Sequence, residues 1–267
     1  GEKLGIETLG YVVTFDDVTE LLSAQRKAAW ADVARRIAHE IKNPLTPIQL
    51  SAERLKRRYK KHIKNDPNTF LLCTDTIIRQ VEEIGKMVDE FSSFARMPQA
   101  TLKNENLSEI CHRAVFLERN RHNNIDYQLE LPDDPIYLRC DSLQISQAMT
   151  NLLKNAAESI SNNNGKGKGI ICCSLSQIKT NDFPKISIAI SDNGSGLPEM
   201  GWENLTEPYV TSRDGGTGLG LAIVKKIMED HSGNLVLSNN ENGGATIKLL
   251  FHNTDDKEKA EIKLELM

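Results

Sequence analysis

Apolar residues in the first third of the chain recur at alternating steps of four and three: Ala34, Ala38, Ile41, Leu45, Ile48, Ala52, Leu55 and Tyr59. The pattern is a heptad seam of about three and a half repeats, which predicts one long helix packed in a bundle. Only Pro44 and Pro47 interrupt the stretch 18–63. Asn65-Asp66-Pro67 predicts a turn, with Asp66 as cap and Pro67 at the first helical position. Ile77, Val81, Ile84, Val88 and Phe91 repeat the spacing and predict a second helix to about residue 97. Two such helices joined by a short turn make an antiparallel hairpin over 18–97. One hairpin leaves its seams short of neighbours, so two copies in a dimeric four-helix bundle are expected. A plain dimerisation coiled coil has the same pattern.

The pattern changes after Pro98. Residues 98–107 read as a polar linker, and a second domain is expected over 108–252. Its first elements are a helix at 108–120 and short strands at 126–131 and 136–140. A helix at 142–161 follows, capped by Asp141. Ile145, Met149, Leu152, Ala156 and Ile160 form its apolar face, and Gln147, Asn151, Lys154, Asn155 and Glu158 fall on the other. Strands are expected at 169–178, 185–191, 234–238 and 245–251, with a helix at 219–231. Residues 193–217 are rich in glycine and lack periodicity. The fold class is therefore α+β: a helical hairpin, then an α/β sandwich with helices on one face of a mixed sheet. Residues 1–17 hold one isolated strand and read as the end of a truncated domain; 253–267 form a charged tail.

Composition narrows the function classes. Charged residues make up 26% and the net charge is −4, so general nucleic-acid binding is not expected. The five cysteines show no CxxC spacing, which fits reduced thiols better than disulfides or zinc. No apolar run approaches the roughly 18 residues of a membrane span. The abrupt start is compatible with the cytoplasmic portion of a protein anchored in the inner membrane.

Three stretches carry candidate chemistry. His39 sits one residue past the heptad seam, so it should flank the core and face water. Glu40 is its neighbour and Asn43 lies one turn on. Pro44 and Pro47 remove the backbone donors for the Glu40 and Asn43 carbonyls, which builds a weak point into the helix. The other histidines, His62, His112, His122, His231 and His252, have no such company and are read as inert. Asp192-Asn193-Gly194-Ser195-Gly196 ends a buried strand, a place where a carboxylate can meet a ligand. Gly215-Gly216-Thr217-Gly218-Leu219-Gly220-Leu221 opens a helix whose free N–H groups suit phosphates. It lacks the Lys-Ser/Thr pair of a Walker loop. Asn151 and Asn155, at i and i+4, are amides suited to a hydrated Mg2+.

HEIKNP, NLLKNAAE, DNGSG, EPYVTSR and GGTGLGL, in this order, resemble the signature boxes of two-component sensor histidine kinases. The surroundings of the first box look most like nitrogen-regulation sensors of the NtrY type, and residues 1–17 are similar to the end of a PAS domain. The resemblance implies a GHKL-type ATPase fold for the second domain and ATP-dependent autophosphorylation of His39. It implies that Glu40 orients the imidazole or takes its proton, and that Asn43 supports dephosphorylation of the regulator. Asn151 and Asn155 would hold Mg2+, with Lys154 nearby, and Asp192 would read the adenine amino group beside Gly194 and Gly196. Residues 197–217 would form an ATP lid carrying Tyr209, Thr211 and Arg213. Gly216, Gly218 and Gly220 would hinge it and admit the phosphates, with Thr217 and Leu219 also at the ATP site. The partners implied are a second copy of the chain and the receiver domain of a response regulator. Two other classes share parts of the pattern: an ATP-driven conformational clamp, which would lack the histidine hairpin, and a scaffold that binds a regulator without catalysis.

Overall fold

The computed structural model describes residues 19–122, 124–161, 168–178, 185–198, 202–211 and 216–252, with 19–31 and 202–203 given as backbone alone. The strand expected within 1–17, the tail 253–267 and Arg213 lie outside these residues. The chain divides into two units, Gly1–Arg96 and Met97–Met267.

The first unit is a helical hairpin of α1 (Thr19–Tyr59) and α2 (Pro67–Ala95). α1 runs unbroken through Pro44 and Pro47, so the expected weak point does not end the helix. The Thr46 hydroxyl donates to the Lys42 carbonyl within this stretch. Asp66 caps α2 from a left-handed conformation (φ 55°), its Oδ1 accepting from Thr69 N at 3.2 Å. The Thr69 hydroxyl and N–H together hold the Asp66 carboxyl below its ordinary value.

Each seam splits into two lines of heptad period. Ala38 and Ala52 on α1, with Thr74, Val81 and Val88 on α2, are buried within the hairpin. On the alternate line Ala34 is buried, but several large side chains lack cover: Ile41, Ile48 and Leu55 are 38–48% exposed, and Ile77 and Ile84 are 44% and 39% exposed. Polar pairs cross the hairpin at the same period. Lys42 meets Asp89, Gln49 Nε2 lies 3.5 Å from Glu82 Oε1, and Lys56 meets Asp75. Seven residues up one helix match seven down the other. Exposed pairs of this kind contribute little stability, but they fix register.

The second unit holds β1 (Lys103–Asn106), α3 (Leu107–Arg119), β2 (Ile125–Glu130), β3 (Tyr137–Cys140), α4 (Ser142–Ser161), β4 (Gly169–Ile178), β5 (Lys185–Asp192), a short 3-10 helix (Trp202–Thr206), α5 (Gly220–Asp230), β6 (Asn234–Asn239) and β7 (Ala245–His252). Five strands form one sheet in the order β2-β4-β5-β7-β6, with β2 parallel to β4 and the rest antiparallel. β1 and β3 form a separate antiparallel ribbon.

The ribbon corrects the expected linker at 98–107. Lys-Asn-Glu-Asn carries no apolar alternation, yet residues 103–106 pair along their length with 137–140, and α3 begins at Leu107. Asn106 caps α3 through Oδ1, which accepts from Ser108 N and Glu109 N.

The core lies between the sheet and α3, α4 and α5. On β5, Ile186, Ile188 and Ile190 are buried. They register against Leu175 and Cys173 on one side and Phe251, Leu249 and Ile247 on the other. The period of two carries this inner face to the last residue of the strand, Asp192. Burial pushes the Cys140 thiol up to about 12, with Glu105 and Asp141 adding to it. All five cysteines are free.

Candidate functional site

His39 is exposed on α1, as its place beside the seam requires. Glu40 does not engage it: its Oε1 accepts from Arg36 Nε at 2.9 Å, one turn back along the helix. Both of these side chains are solvent-exposed, so the pair is weak enough to exchange. Asn43 is exposed one turn from His39.

In the second unit, α4 organises the other candidates. Asp192 is buried at the end of β5, and its Oδ1 accepts from Gly194 N at 2.8 Å. Ser195 N donates to Ser159 Oγ at 3.1 Å, which seats the loop on α4. Gly194 lies so close to the helix that a Cβ would stand 2.6 Å from the Ser159 carbonyl carbon. Its missing side chain therefore serves packing on α4, in addition to any room for a ligand. One turn earlier, Asn155 lies 3.6 Å from where a Cβ on Gly220 would be. Adjacent turns of α4 thus touch the strand-end loop and the first residue of α5. The N-terminus of α5 has no side-chain cap, which leaves the helix end suited to an anion.

Asn151 is half-buried, and its Nδ2 is buried with no hydrogen-bond partner among the described residues. An unpaired buried amide costs about 1–3 kcal/mol, a debt that a bound polar group cancels. Among the described residues no cluster of three or more His, Cys, Asp or Glu could hold a metal. Two amides suit a magnesium ion that keeps most of its waters and phosphate ligands, and do not suit an all-protein cage. Lys154 is exposed on the outer side of α4.

The middle of the expected lid meets the residue that follows it. Tyr209 N donates to the Gly218 carbonyl at 3.1 Å, and a Cβ on Gly218 (φ 68°) would stand 2.6 Å from Tyr209 main chain. Tyr209 itself has φ 67° and an exposed ring. Thr217 Oγ1 accepts from Leu219 N at 3.3 Å. Leu219 is buried, while Gly216 is half-buried and Thr211 exposed.

Sequence reasoning missed several residues that hold this site. Ser159 reads as one more small residue near a helix end. Asn239 ends β6 and Asn240 follows it, ahead of an Asn242-Gly243 turn, some forty residues from the loop they contact. His231, read as inert, joins two helices: its Nε2 accepts from Asp141 N at 3.0 Å, and its Nδ1 bonds the Ile227 carbonyl at 2.8 Å. The ring is therefore the neutral tautomer with its proton on Nδ1.

Residues 29–100 match the family described as His Kinase A (phospho-acceptor) domain, and residues 140–255 match histidine kinase-, DNA gyrase B-, and HSP90-like ATPase. The chain belongs to the sensor histidine kinases. It is similar to nitrogen regulation protein NtrY of Azorhizobium caulinodans, at 54% identity over 90% of this chain and 31% of the relative. It is 41% identical to an NtrY-like sensor histidine kinase of Rickettsia bellii over 87% of this chain and 37% of the relative. The chain thus spans about a third of the length of these kinases. Among solved structures it resembles histidine kinase ThkA in complex with response regulator protein TrrA, with TM-score 0.60 and 26% identity over 91% of this chain and 70% of that one. The ATPase domain of this histidine kinase implies ATP binding. No helix among the described residues is long and apolar enough to cross a membrane.

Proposed function

We propose that this chain is the phosphotransfer core of a two-component sensor. It would bind ATP, phosphorylate His39 and pass the phosphoryl group to an aspartate on a response regulator receiver domain. One observation carries the reading: an exposed histidine lies within the matched phospho-acceptor region, and a buried strand-end carboxylate beside an uncapped helix N-terminus lies within the matched ATPase region of the same chain.

In this reading Asp192 accepts a hydrogen bond from the adenine amino group, and Gly194 and Gly196 let the base approach. The α5 N-terminus, with Gly216, Thr217, Gly218, Leu219 and Gly220, receives the phosphates. Thr211, Arg213 and Lys154 contribute polar or charged contacts at the edge. Asn151 and Asn155 hold Mg2+, which when bound neutralises the triphosphate. A neutral nitrogen of His39 attacks the γ-phosphorus, the bond to the bridging oxygen breaks, and ADP leaves. Glu40, once released from Arg36, takes the imidazole proton or fixes the ring. Asn43 positions a water for the reverse task, hydrolysis of the regulator's aspartyl phosphate.

The exposed heptad line of Ile41, Ile48, Leu55, Ile77 and Ile84 supports a homodimer, in which a second hairpin supplies the missing cover. The longer protein would be anchored in the inner membrane with this portion in the cytoplasm. The test is phosphotransfer. The chain incubated with γ-labelled ATP should acquire acid-labile, base-stable phosphate and lose it to an added receiver domain. Label that never appears, or that survives acid, refutes the reading.

A further inference from the structure

The β6–β7 turn makes more contact with the base-reading loop than a hairpin needs. Its own closure uses main chain, Asn240 N donating to the Gly244 carbonyl and Gly243 N to the Asn240 carbonyl. The two asparagine side chains are directed elsewhere. Asn240 Nδ2 donates to the Asp192 carbonyl at 2.9 Å and to Ser191 Oγ at 3.0 Å. Asn240 Oδ1 accepts from the Thr246 hydroxyl at 2.6 Å, and Thr246 Oγ1 lies 2.9 Å from Ser191 Oγ. The three side chains close a ring on the main chain of Asp192, where each group has a partner.

Asn239 holds the far end of the same loop. Its Oδ1 accepts from Leu197 N at 2.7 Å and its Nδ2 donates to the Leu197 carbonyl at 3.1 Å. The amide pairs with one residue as a neighbouring strand would, directly after Gly196, which turns the chain at φ 77°. Gly244 brings the turn against the loop: a Cβ there would stand 1.9 Å from the Asp192 carbonyl oxygen. Main chain on both sides of the loop is therefore fixed from the turn.

We propose that Asn239 and Asn240 are positioning residues for nucleotide recognition, setting how tightly and how selectively Asp192 reads the base. The proposal rests on the assignment of Asp192 to adenine. A carboxylate accepts from the adenine amino group and finds no donor in the carbonyl that guanine presents at that position. That discrimination depends on where the carboxylate stands, to within a few tenths of an ångström. A hydrogen-bonded main chain fixes the place in advance, so less ordering is left to the moment of binding.

The test compares ATP and GTP affinities by calorimetry on the full chain, with thermal melting alongside. Asn240→Ala and Asn239→Ala should each weaken ATP about tenfold while leaving GTP within a factor of about two, so that the ATP:GTP ratio falls. Ser238→Ala is the control. It removes a hydrogen bond of the same hairpin, to the Thr246 carbonyl, that does not reach the loop. It should lower the melting point without moving the ratio, and an equal fall of the ratio in this control overturns the proposal. If Asn240→Ala does not fold, the nearly isosteric Thr246→Val removes the partner of Asn240 Oδ1. A lowered ratio there supports the clamp and a wild-type ratio overturns it. Asp192→Asn separates the two layers of the argument. A ratio lost in Asp192→Asn but kept in both asparagine variants overturns the clamp alone. A ratio unchanged in Asp192→Asn removes the reading of Asp192, and the clamp with it.

Discussion

Replacing Gly194 by alanine probes how the loop after Asp192 is seated. A Cβ at this position would stand 2.4 Å from Ser159 Oγ, 2.6 Å from the Ser159 carbonyl carbon and 2.8 Å from Ile160 N. The hydroxyl can rotate away, but the two main-chain atoms of α4 cannot. Opening the 2.6 Å contact to an ordinary 3.4 Å asks the loop to retreat by about 0.8 Å. That movement stretches the Ser195 N–Ser159 Oγ bond from 3.1 Å to about 3.9 Å, beyond hydrogen-bond range. Overpacking costs about 1–3 kcal/mol, and the lost bond about 0.5–1.5 kcal/mol more. We expect Gly194→Ala to lose about 1.5–4.5 kcal/mol in urea unfolding and at least tenfold in ATP affinity by calorimetry. Ser159→Ala, which loses that bond and the 3.2 Å contact between the Ser159 and Ser195 hydroxyls, should cost about 1–3 kcal/mol. Adding Ser159→Gly to Gly194→Ala should give no rescue, because the obstructing atoms are main chain. A Gly194→Ala protein with wild-type midpoint and ATP affinity refutes this account of the loop.

Three further outcomes follow from the same geometry. Asn43→Ala should leave autophosphorylation within a few-fold and slow loss of phosphate from the regulator by about 10–100-fold; if both activities fall together, the residue is structural. Ile48→Asp places a charge on the exposed heptad line, where each covered isoleucine contributes about 1.5–3 kcal/mol, so sedimentation should show monomers with intact helix content. Dimers of unchanged affinity would exclude this face as the interface. The third outcome is a pH dependence. Burial alone would raise the Asp141 carboxyl, but the N–H groups of Thr101, Gln144 and Leu143 hold it below 3.8. Its stabilisation is therefore complete above that value and lost as pH falls through the lower folded value. Asp141→Ala should cost about 0.5–2 kcal/mol at neutral pH, with the gap to wild type narrowing in acid. A gap that stays constant down to the acid limit contradicts the cap.

The hairpin was legible in the sequence because a heptad seam, a capped Asp-Pro start and two long runs, the first broken only by Pro44 and Pro47, agree. The seam alone could not say which of its lines the hairpin covers. Residue size does not settle it either, since the buried Ala34 shares a line with Ile41, Ile48 and Leu55, and Leu45 and Tyr59 share the line of Ala38 and Ala52. β1 was hidden because its four residues are all polar and pair through the backbone, which leaves no periodicity to read. The inner-face position of Asp192 followed from strand alternation. The partners that fix it did not, since Ser159, Asn240 and Gly244 act through contacts distant in sequence. Glu40 was legible as a neighbour of His39, but the competing Arg36 one turn back changes what its carboxylate bonds.

The central claim is phosphorylation of His39 by ATP. The direct measurement is mass spectrometry of the chain after incubation with ATP and Mg2+, digested at neutral to alkaline pH, with fragmentation that preserves the phosphoramidate. The account predicts one phosphorylated peptide spanning residues 37–42, with the group on His39. It also predicts none in His39→Gln, which should still bind ATP and dimerise. Phosphate on another residue, or undiminished phosphorylation of His39→Gln, contradicts it.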